Sequence, residues 1–395
     1  TPSKVRALHD TDLKIDPDIT GVDAEGIAKV AQGMATGKND RFLRYHWETS
    51  SDVFKPYAKG GEDAWVLPRV DHQINWQDDG KVVQRYSGSL LRNSEYYGQE
   101  GLTWTAIKET GHRFGYLPSG HIFDMAGSMV FLEDEYDPWL VLAAINSTLY
   151  HGLFLSITPE RQWTQGEVGR IPWHKSKLEG VDLTSLAKEQ YQLFASTRTD
   201  DPTSIYYISP SILPINNPEF FYEESGRNEE LSASDLINAD LEKSTSIIGA
   251  VQRKLEDEIT VENKIQDIAS EIDDRVYEAF SIDTETQSEI SKEIHLRTAE
   301  EANGDELPDP EPDPEAPENY EEPVKNLLHH FVMKSVREKE DGIIPIRGAD
   351  DQTDIIDHLI TQFEDVYGEY AEDRLIEVDE LLGRESASEE AYPNI

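Results

Sequence analysis

The spacing of apolar positions changes several times along the chain, and each change predicts an element. A loop at Pro17 leads into a short helix predicted from Val22 to Met34. From 36 to 175 short apolar and aromatic runs are cut by Gly60-Gly61, Pro68, Gly101, Gly111 and Pro118-Ser119-Gly120, which reads as mixed α/β structure. Asp79-Gly80, between Gln73–Trp76 and Val82–Tyr86, predicts a hairpin. Trp139 to Leu155 reads as one apolar helix holding polar Asn146 and Ser147. It is shorter than the ~18 residues a membrane helix needs, so a buried core helix is expected.

The second half has a different rhythm. Residues 176–235 read as loop-rich, with Pro202, Pro210, Pro214 and Pro218. Over 235–280, Ile248, Val251, Leu255 and Ile259, then Ile265, Ile268, Ile272 and Val276, recur at three- and four-residue steps, predicting a long amphipathic helix. Thr284 with Gln287 resembles a capping box opening a further helix toward Leu296. Residues 300–323 hold eleven acidic residues, six prolines and no Lys or Arg, and read as a disordered linker. Helices follow at about 324–337 and 352–382. The expected fold class is α+β. The divisions are a lead-in (1–35), a mixed α/β domain (36–175), a loop-rich then helical region (176–299), an acidic Pro-rich linker (300–323) and a helical region (324–395).

Charge sharpens this division. The 395 residues carry a formal net charge of -43. Residues 1–175 hold 18 basic and 24 acidic side chains, a net of -6, whereas 176–395 hold 18 and 55, a net of -37. Apolar periodicity persists through most of the acidic half. This favours a protein adapted to molar salt, whose acidic surface maintains solubility, over a disordered or DNA-mimicking module. The near-neutral first half is then the informative one. The absence of cysteine excludes disulfides, thiol catalysis and cysteine–zinc sites. No apolar run is long enough for a membrane span and no signal peptide opens the sequence, so a cytoplasmic protein without membrane partners is expected.

Known catalytic patterns do not occur. There is no G-x-x-x-x-G-K-[ST], G-x-S-x-G or H-E-x-x-H. The nearest approach to the Asn-Pro-Pro-aromatic loop of amino-methylating enzymes is Asn217-Pro218-Glu219-Phe220, which lacks the second proline. His329-His330 are adjacent and diverge on a helix, and His112 and His121 have no partners at ligand spacing. No catalytic, metal-binding or cofactor-binding residue is assigned.

Four clusters do carry chemistry. Thr36-Gly37-Lys38-Asn39-Asp40-Arg41-Phe42-Leu43-Arg44 joins a glycine turn to three cations suited to phosphates. Phe54-Lys55-Pro56-Tyr57-Ala58-Lys59-Gly60-Gly61 joins lysines, aromatics and a glycine pair, as in loops that follow a nucleic-acid backbone. The run from Gly101-Leu102-Thr103-Trp104-Thr105 through Arg113 to Phe123-Asp124-Met125-Ala126-Gly127-Ser128 reads mostly as core, with Arg113 its one surface candidate. Glu160-Arg161-Gln162-Trp163-Thr164-Gln165-Gly166-Glu167-Val168 is equally a connector or a base-reading segment. Lys38, Arg41, Arg44, Lys55, Lys59 and Arg113 are the candidate phosphate contacts. Asn39, Arg69, Arg85, Arg92, Arg161, Gln162 and Gln165 complete the candidate DNA-binding set.

In this order the clusters resemble the target-recognition part of PglX-type BREX (bacteriophage exclusion) adenine-specific DNA methyltransferases, relatives of type IIG restriction–modification enzymes. Thr36 to Glu48, Lys55 to Gly61, Asn75-Trp76-Gln77-Asp78-Asp79-Gly80, Gly101 to Thr105, Phe123 to Ser128, Asn146-Ser147 and Gln165 to Pro172 carry the resemblance. The helical stretch Ile265 to Phe280, with Asp273-Asp274-Arg275-Val276-Tyr277, extends it. It implies a parent enzyme that uses S-adenosylmethionine to methylate adenine N6 in a specific duplex and so marks host DNA. The cofactor domain and its Asn-Pro-Pro-Tyr loop would lie before Thr1, and the family would continue beyond Ile395. This chain would then be a fragment, or a subunit paired with a separate methyltransferase half, that holds double-stranded DNA; other BREX proteins are further candidate partners. The competing reading is a non-enzymatic acidic scaffold or DNA mimic.

Overall fold

The computed structural model describes residues 27–49, 52–60, 64–106, 112–157, 162–214, 241–303 (backbone only from 296), 320–339, 342–346 and 353–383. They form two compact units. The first holds the described residues up to Phe194 and those from Lys264 to 303; the second holds those from Ala195 to Asn263 and those from 320 onward.

The first unit contains two four-stranded sheets. One is antiparallel, in the order β1 (Ala28–Ala31), β8 (Met129–Leu132), β5 (Gly101–Trp104), β6 (Phe114–Leu117). The other runs β2 (Leu43–Tyr45), β4 (His72–Asn75), β3 (Phe54–Ala58), β7 (Ile122–Phe123), with β3 and β7 parallel. β1 corrects the predicted lead-in helix, of which residues 22–26 lie outside the described residues. Ala28 to Ala31 pair residue by residue with Leu132 to Met129, and ladder pairing outweighs the helical preference of alanine and lysine.

The hairpin expectation fails after its first strand. β4 forms, and Asp78, Asp79 and Gly80 turn the chain with φ of 53°, 54° and 78°. The chain then enters the one-turn helix α2 (Lys81–Gln84); the preceding one-turn helix α1 is Asn39–Phe42. Val83 is the only fully buried side chain of α2, and the Ser89 hydroxyl donates to the Val83 and Tyr86 carbonyls, so one helical turn buries the apolar residue that a strand was expected to bury.

The predicted helix 139–155 is two helices, α3 (Pro138–Asn146) and α4 (Thr148–Ile157), bent by 70°. Asp137 caps α3 by accepting from the Trp139 N–H at 3.0 Å, with Pro138 in the first turn. Extended Ser147 ends it. The Asn146 carboxamide turns back onto β6, accepting from the N–H groups of Arg113 (3.3 Å) and Phe114 (3.1 Å) and donating to the Phe114 carbonyl at 2.8 Å. Among the described residues no single helix is long and apolar enough to cross a membrane.

Short helices α5 (Gln165–Val168) and α6 (Lys175–Leu178) lead to α7 (Thr184–Ser196), which corrects the loop expected there. Tyr191 of α7 packs edge-on to Trp139 and Tyr116, so no boundary between compact units falls at 175/176. α8 (Ile247–Ala279) and α9 (Thr284–Asn303) follow, and the cap of α9 is Asp283, which accepts from Thr286 N–H at 2.8 Å, one residue before the predicted Thr284. Helix at 300–303 and again from Glu321 shortens the expected linker from both ends, and 304–319 lie outside the described residues.

The second unit packs the start of α8 with α10 (Glu321–Arg337), α11 (Ile355–Tyr367) and α12 (Ala371–Leu382). Val251, Val324, Phe331, Phe363 and Val378 form its fully buried centre. Asp354 opens α11 with a capping box completed by Asp357. Of the first predicted stripe Val251 is buried and Leu255 packs on this core, whereas Ile248 and Ile259 are exposed.

Candidate nucleic-acid interface

Segments 32–41 and 81–92 lie side by side. Ala35 and Leu90 exchange backbone hydrogen bonds of 2.8 and 2.9 Å. Gly37 has φ +70°, and a Cβ there would sit 2.2 Å from the Gly88 carbonyl oxygen, so the approach requires glycine. The Arg92 guanidinium donates to the Gln32 carboxamide, and Asn93 donates to the Gln32 carbonyl at 2.8 Å. Arg41 lies over Phe42 and Tyr86, its guanidinium carbon 5.4 and 5.5 Å from the ring centroids. Buried Thr36 donates to Asn39, which fixes the turn into α1.

This ribbon and the β2–β4–β3–β7 sheet share one small core of Met34, Phe42, Leu43, Tyr57, Ile74, Val83 and Ile122. Lys38, Arg41, Lys81, Arg85 and Arg92 are exposed along the ribbon, with Asp40, Asp78 and Asp79 among them. In a chain of net charge -43 this is a local concentration of cations. Lys81 was missed by sequence reasoning because the hairpin expectation placed it in a turn.

Lys55 and Lys59 are exposed on and just after β3. Gly60 follows with φ +70°, and a Cβ there would lie 2.4 Å from Gly127 N, which locks the loop against the Gly127 turn. Beneath it the Tyr57 hydroxyl donates to Asp124, which also accepts from Ala126 N–H at 2.9 Å. Burial raises the Asp124 pKa, a rise opposed by these hydrogen bonds and by nearby Lys59. Arg44 is tied down, donating to the carbonyls of Asp40 (3.0 Å) and Leu43 (2.6 Å). Arg69 pairs with Asp71 at 2.9 Å. The ladder sets Arg44 opposite Gln73 on β4, and Asn75 lies two residues further along; Gln73 and Asn75 are half-buried amides that the sequence reading did not select.

The remaining candidates lie elsewhere. Arg113 is corrected: it is 2% exposed, its guanidinium carbon 4.1 Å from the Trp163 ring centroid. Phe154 stacks parallel to the same indole at 4.2 Å, and Trp104 Nε1 donates to the Trp163 carbonyl at 2.9 Å. This cation belongs to an aromatic core. Gln162 is exposed, Gln165 donates to Ser128 Oγ at 2.7 Å, and Arg161 lies outside the described residues.

The described residues do not fit S-adenosylmethionine. A cofactor of this kind needs a glycine-rich turn from a strand into a helix N-terminus. β8 enters α3 without a glycine, in the β4–α2 turn Gly80 packs on the Trp76 ring beside Asp78 and Asp79, and in the β1–α1 connection Gly33 and Gly37 are closed against the backbones of Phe123 and Gly88.

No family model matches the chain. Over 178 residues it is 34% identical to the adenine-specific methyltransferase BrxX of Escherichia coli O9:H4 (strain HS), which covers 42% of this chain and 14% of that protein. Over 199 residues it is 26% identical to the adenine-specific methyltransferase PglX of Lacticaseibacillus casei (strain Zhang), covering 45% and 16%. The chain therefore spans a minor part of the length of these relatives. Over these matched stretches the chain is a partial homologue of PglX-type BREX adenine-specific methyltransferases.

Proposed function

We propose that the first unit is the DNA-recognition part of an adenine-N6-specific methyltransferase of a phage-defence system. Methyl transfer, with S-adenosylmethionine, would reside in sequence outside these 395 residues. The observation that carries this reading is the ribbon of 32–41 against 81–92, which gathers Lys38, Arg41, Lys81, Arg85 and Arg92 on one small core in an otherwise acidic chain. Kinship with proteins named as adenine-specific methyltransferases supplies the substrate class. Cations on the ribbon and on β3 would neutralise phosphates and set the register, and amides such as Gln73, Asn75 and Asn39 offer the donor–acceptor pairs that read base edges.

The test is selection of a randomised duplex pool on the purified chain in concentrated KCl, followed by sequencing. Enrichment of a short motif containing adenine supports the reading. If the folded chain enriches nothing, alone or with the methyltransferase portion of a relative added, the reading fails. The acidic-scaffold or DNA-mimic alternative, suggested by the net -37 of residues 176–395, then takes its place.

A further inference from the structure

Two apolar side chains stand out of the basic ribbon and its neighbour. Leu90 is 47% and Met125 42% exposed, the highest values among the large apolar side chains described in the first unit. Both flank segment 32–36. Ala35 bridges antiparallel to Leu90, and Met34 bridges parallel to Asp124, the residue before Met125. Bridge partners share one side of a sheet, and successive residues alternate between sides. Met34 is wholly buried and Asp124 is bonded to buried Tyr57, so these two take the core side. Ala35, Leu90 and Met125 therefore share the outer side, as one short apolar row across three segments.

The row is held stiffly and has cations around it. Met125 N–H donates to the Met34 carbonyl at 2.7 Å, beside the hydrogen bonds between Ala35 and Leu90. The Gln32 carboxamide ties the two outer segments together, accepting from Arg92 and donating to the Met125 carbonyl at 3.4 Å. Arg92, two residues beyond Leu90, lies on its side of the ribbon. Lys38 follows Gly37, which closes on Gly88, two residues before Leu90. Lys59 follows Ala58, whose carbonyl accepts from Asp124 N–H at 2.9 Å. All three cations are exposed.

We propose that Leu90, with Met125 beside it, is a wedge that enters between two stacked base pairs of a bound duplex and kinks it. The inference rests on the DNA reading above and deepens it. Cations around an apolar row, in a chain of net charge -43, fit a polyanion that also offers an apolar interior. A stable protein interface takes about 20 residues a side, far more than this row supplies, whereas one Leu or Met is enough to open a base step. Backbones already fixed on both sides of Ala35 present the wedge without further ordering. Opening is easiest at flexible pyrimidine–purine steps and at mismatches, so the wedge would favour sites by their deformability, with no hydrogen bond to a base edge.

The experiment uses the whole chain and two duplexes of equal length, one fully paired and one with a central mismatch, each carrying donor and acceptor dyes on its two ends. Binding is followed by anisotropy, and kinking by the gain in energy transfer. The wild type is expected to prefer the mismatched duplex about tenfold and to raise the transfer in it. The double variant Leu90→Ala, Met125→Ala should bring the preference towards one and remove the gain in transfer, while its salt dependence stays that of the wild type. Leu90→Met should keep both effects. Lys38→Gln should weaken binding of the two duplexes equally. Circular dichroism establishes that each variant is folded. Equal binding of both duplexes by the wild type, binding without a gain in transfer, or a preference that survives the double variant overturns the wedge and leaves the DNA reading standing. A double variant that keeps its DNA behaviour but no longer binds the methyltransferase portion of a relative makes the row a protein-docking surface and likewise overturns the wedge. No binding to either duplex, alone or with that portion added, overturns both readings.

Discussion

Asp273 caps a helix 125 residues away in sequence: its carboxylate accepts from the N–H of Thr148, at 2.6 Å, and from the Thr148 hydroxyl, at the first residue of α4. The bend at Ser147 leaves that helix start with only a long local cap, the Ser147 hydroxyl accepting from the Tyr150 N–H at 3.5 Å, and Asp273 on α8 supplies a stronger one. The same bend frees the Asn146 carboxamide to bind β6.

Asp273→Ala should therefore lower stability by about 1 kcal/mol, as loss of an N-cap does, and Asp273→Asn by less because it keeps an acceptor. Burial raises the Asp273 pKa above the ordinary 3.8. The folded state then holds this proton more tightly than the unfolded one. This contribution is fully present below 3.8 and is lost as pH rises through the raised folded value. Urea melts across acid pH should show the wild type losing stability relative to Asp273→Asn as pH rises through that window.

Asn146→Ala should cost more, about 3 kcal/mol, because it removes the acceptor of the Arg113 and Phe114 N–H groups inside the first unit, whereas the Phe114 carbonyl keeps the Val66 N–H. Thermal melting of the variant measures this directly.

Arg113 and the ribbon cations should separate in a salt titration. Each of Lys38→Gln, Arg41→Gln and Arg85→Gln should weaken duplex binding for all sequences and reduce the slope of log affinity against log salt by about 1. Arg113→Met should destabilise the chain and leave the slope as it is, since its guanidinium is covered by Trp163.

His330 of the second unit is buried and bonded to the Tyr207 hydroxyl at 2.8 Å. Burial, aided by nearby Lys334 and His329, pushes its pKa from 6.5 down to about 3. The unfolded chain binds this proton more readily, so the histidine's contribution is whole above 6.5 and declines as pH falls towards about 3. Equilibrium unfolding across that range should show a flatter acid limb for His330→Phe than for the wild type.

Much of the fold was legible in the sequence because burial on one helix face leaves a repeating signature. Ile265, Ile268, Ile272 and Val276 do lie buried along α8, and Leu327, Phe331, Leu359 and Phe363 are buried in the second unit. The alternations around Thr103 and Tyr116 did mark strands. The candidate site was legible only as residue types. Nothing local to Lys81 or Arg92 tells that 81–92 will lie against 32–41, since that pairing is made by Ala35 with Leu90 and by the close approach of Gly37 to Gly88.

The sequence by itself determined the division between a near-neutral α/β part and an acidic helical part, because charge and periodicity are properties of the chain. It also carried the kinship, which the 34% identity over 178 residues expresses. Tertiary structure alone decided that Ala28–Ala31 is a strand, that Asp79-Gly80 leads into a helix and that α3 and α4 part at Ser147. In each case a distant partner supplied the deciding hydrogen bonds or burial: β8 for the strand, the Ser89 hydroxyl and the Val83 core for the turn, and Asp273 with β6 for the bend. Tertiary structure likewise decided that Arg113 is interior. Short segments hold several conformations within about a kilocalorie of one another, so long-range pairing and burial choose among them.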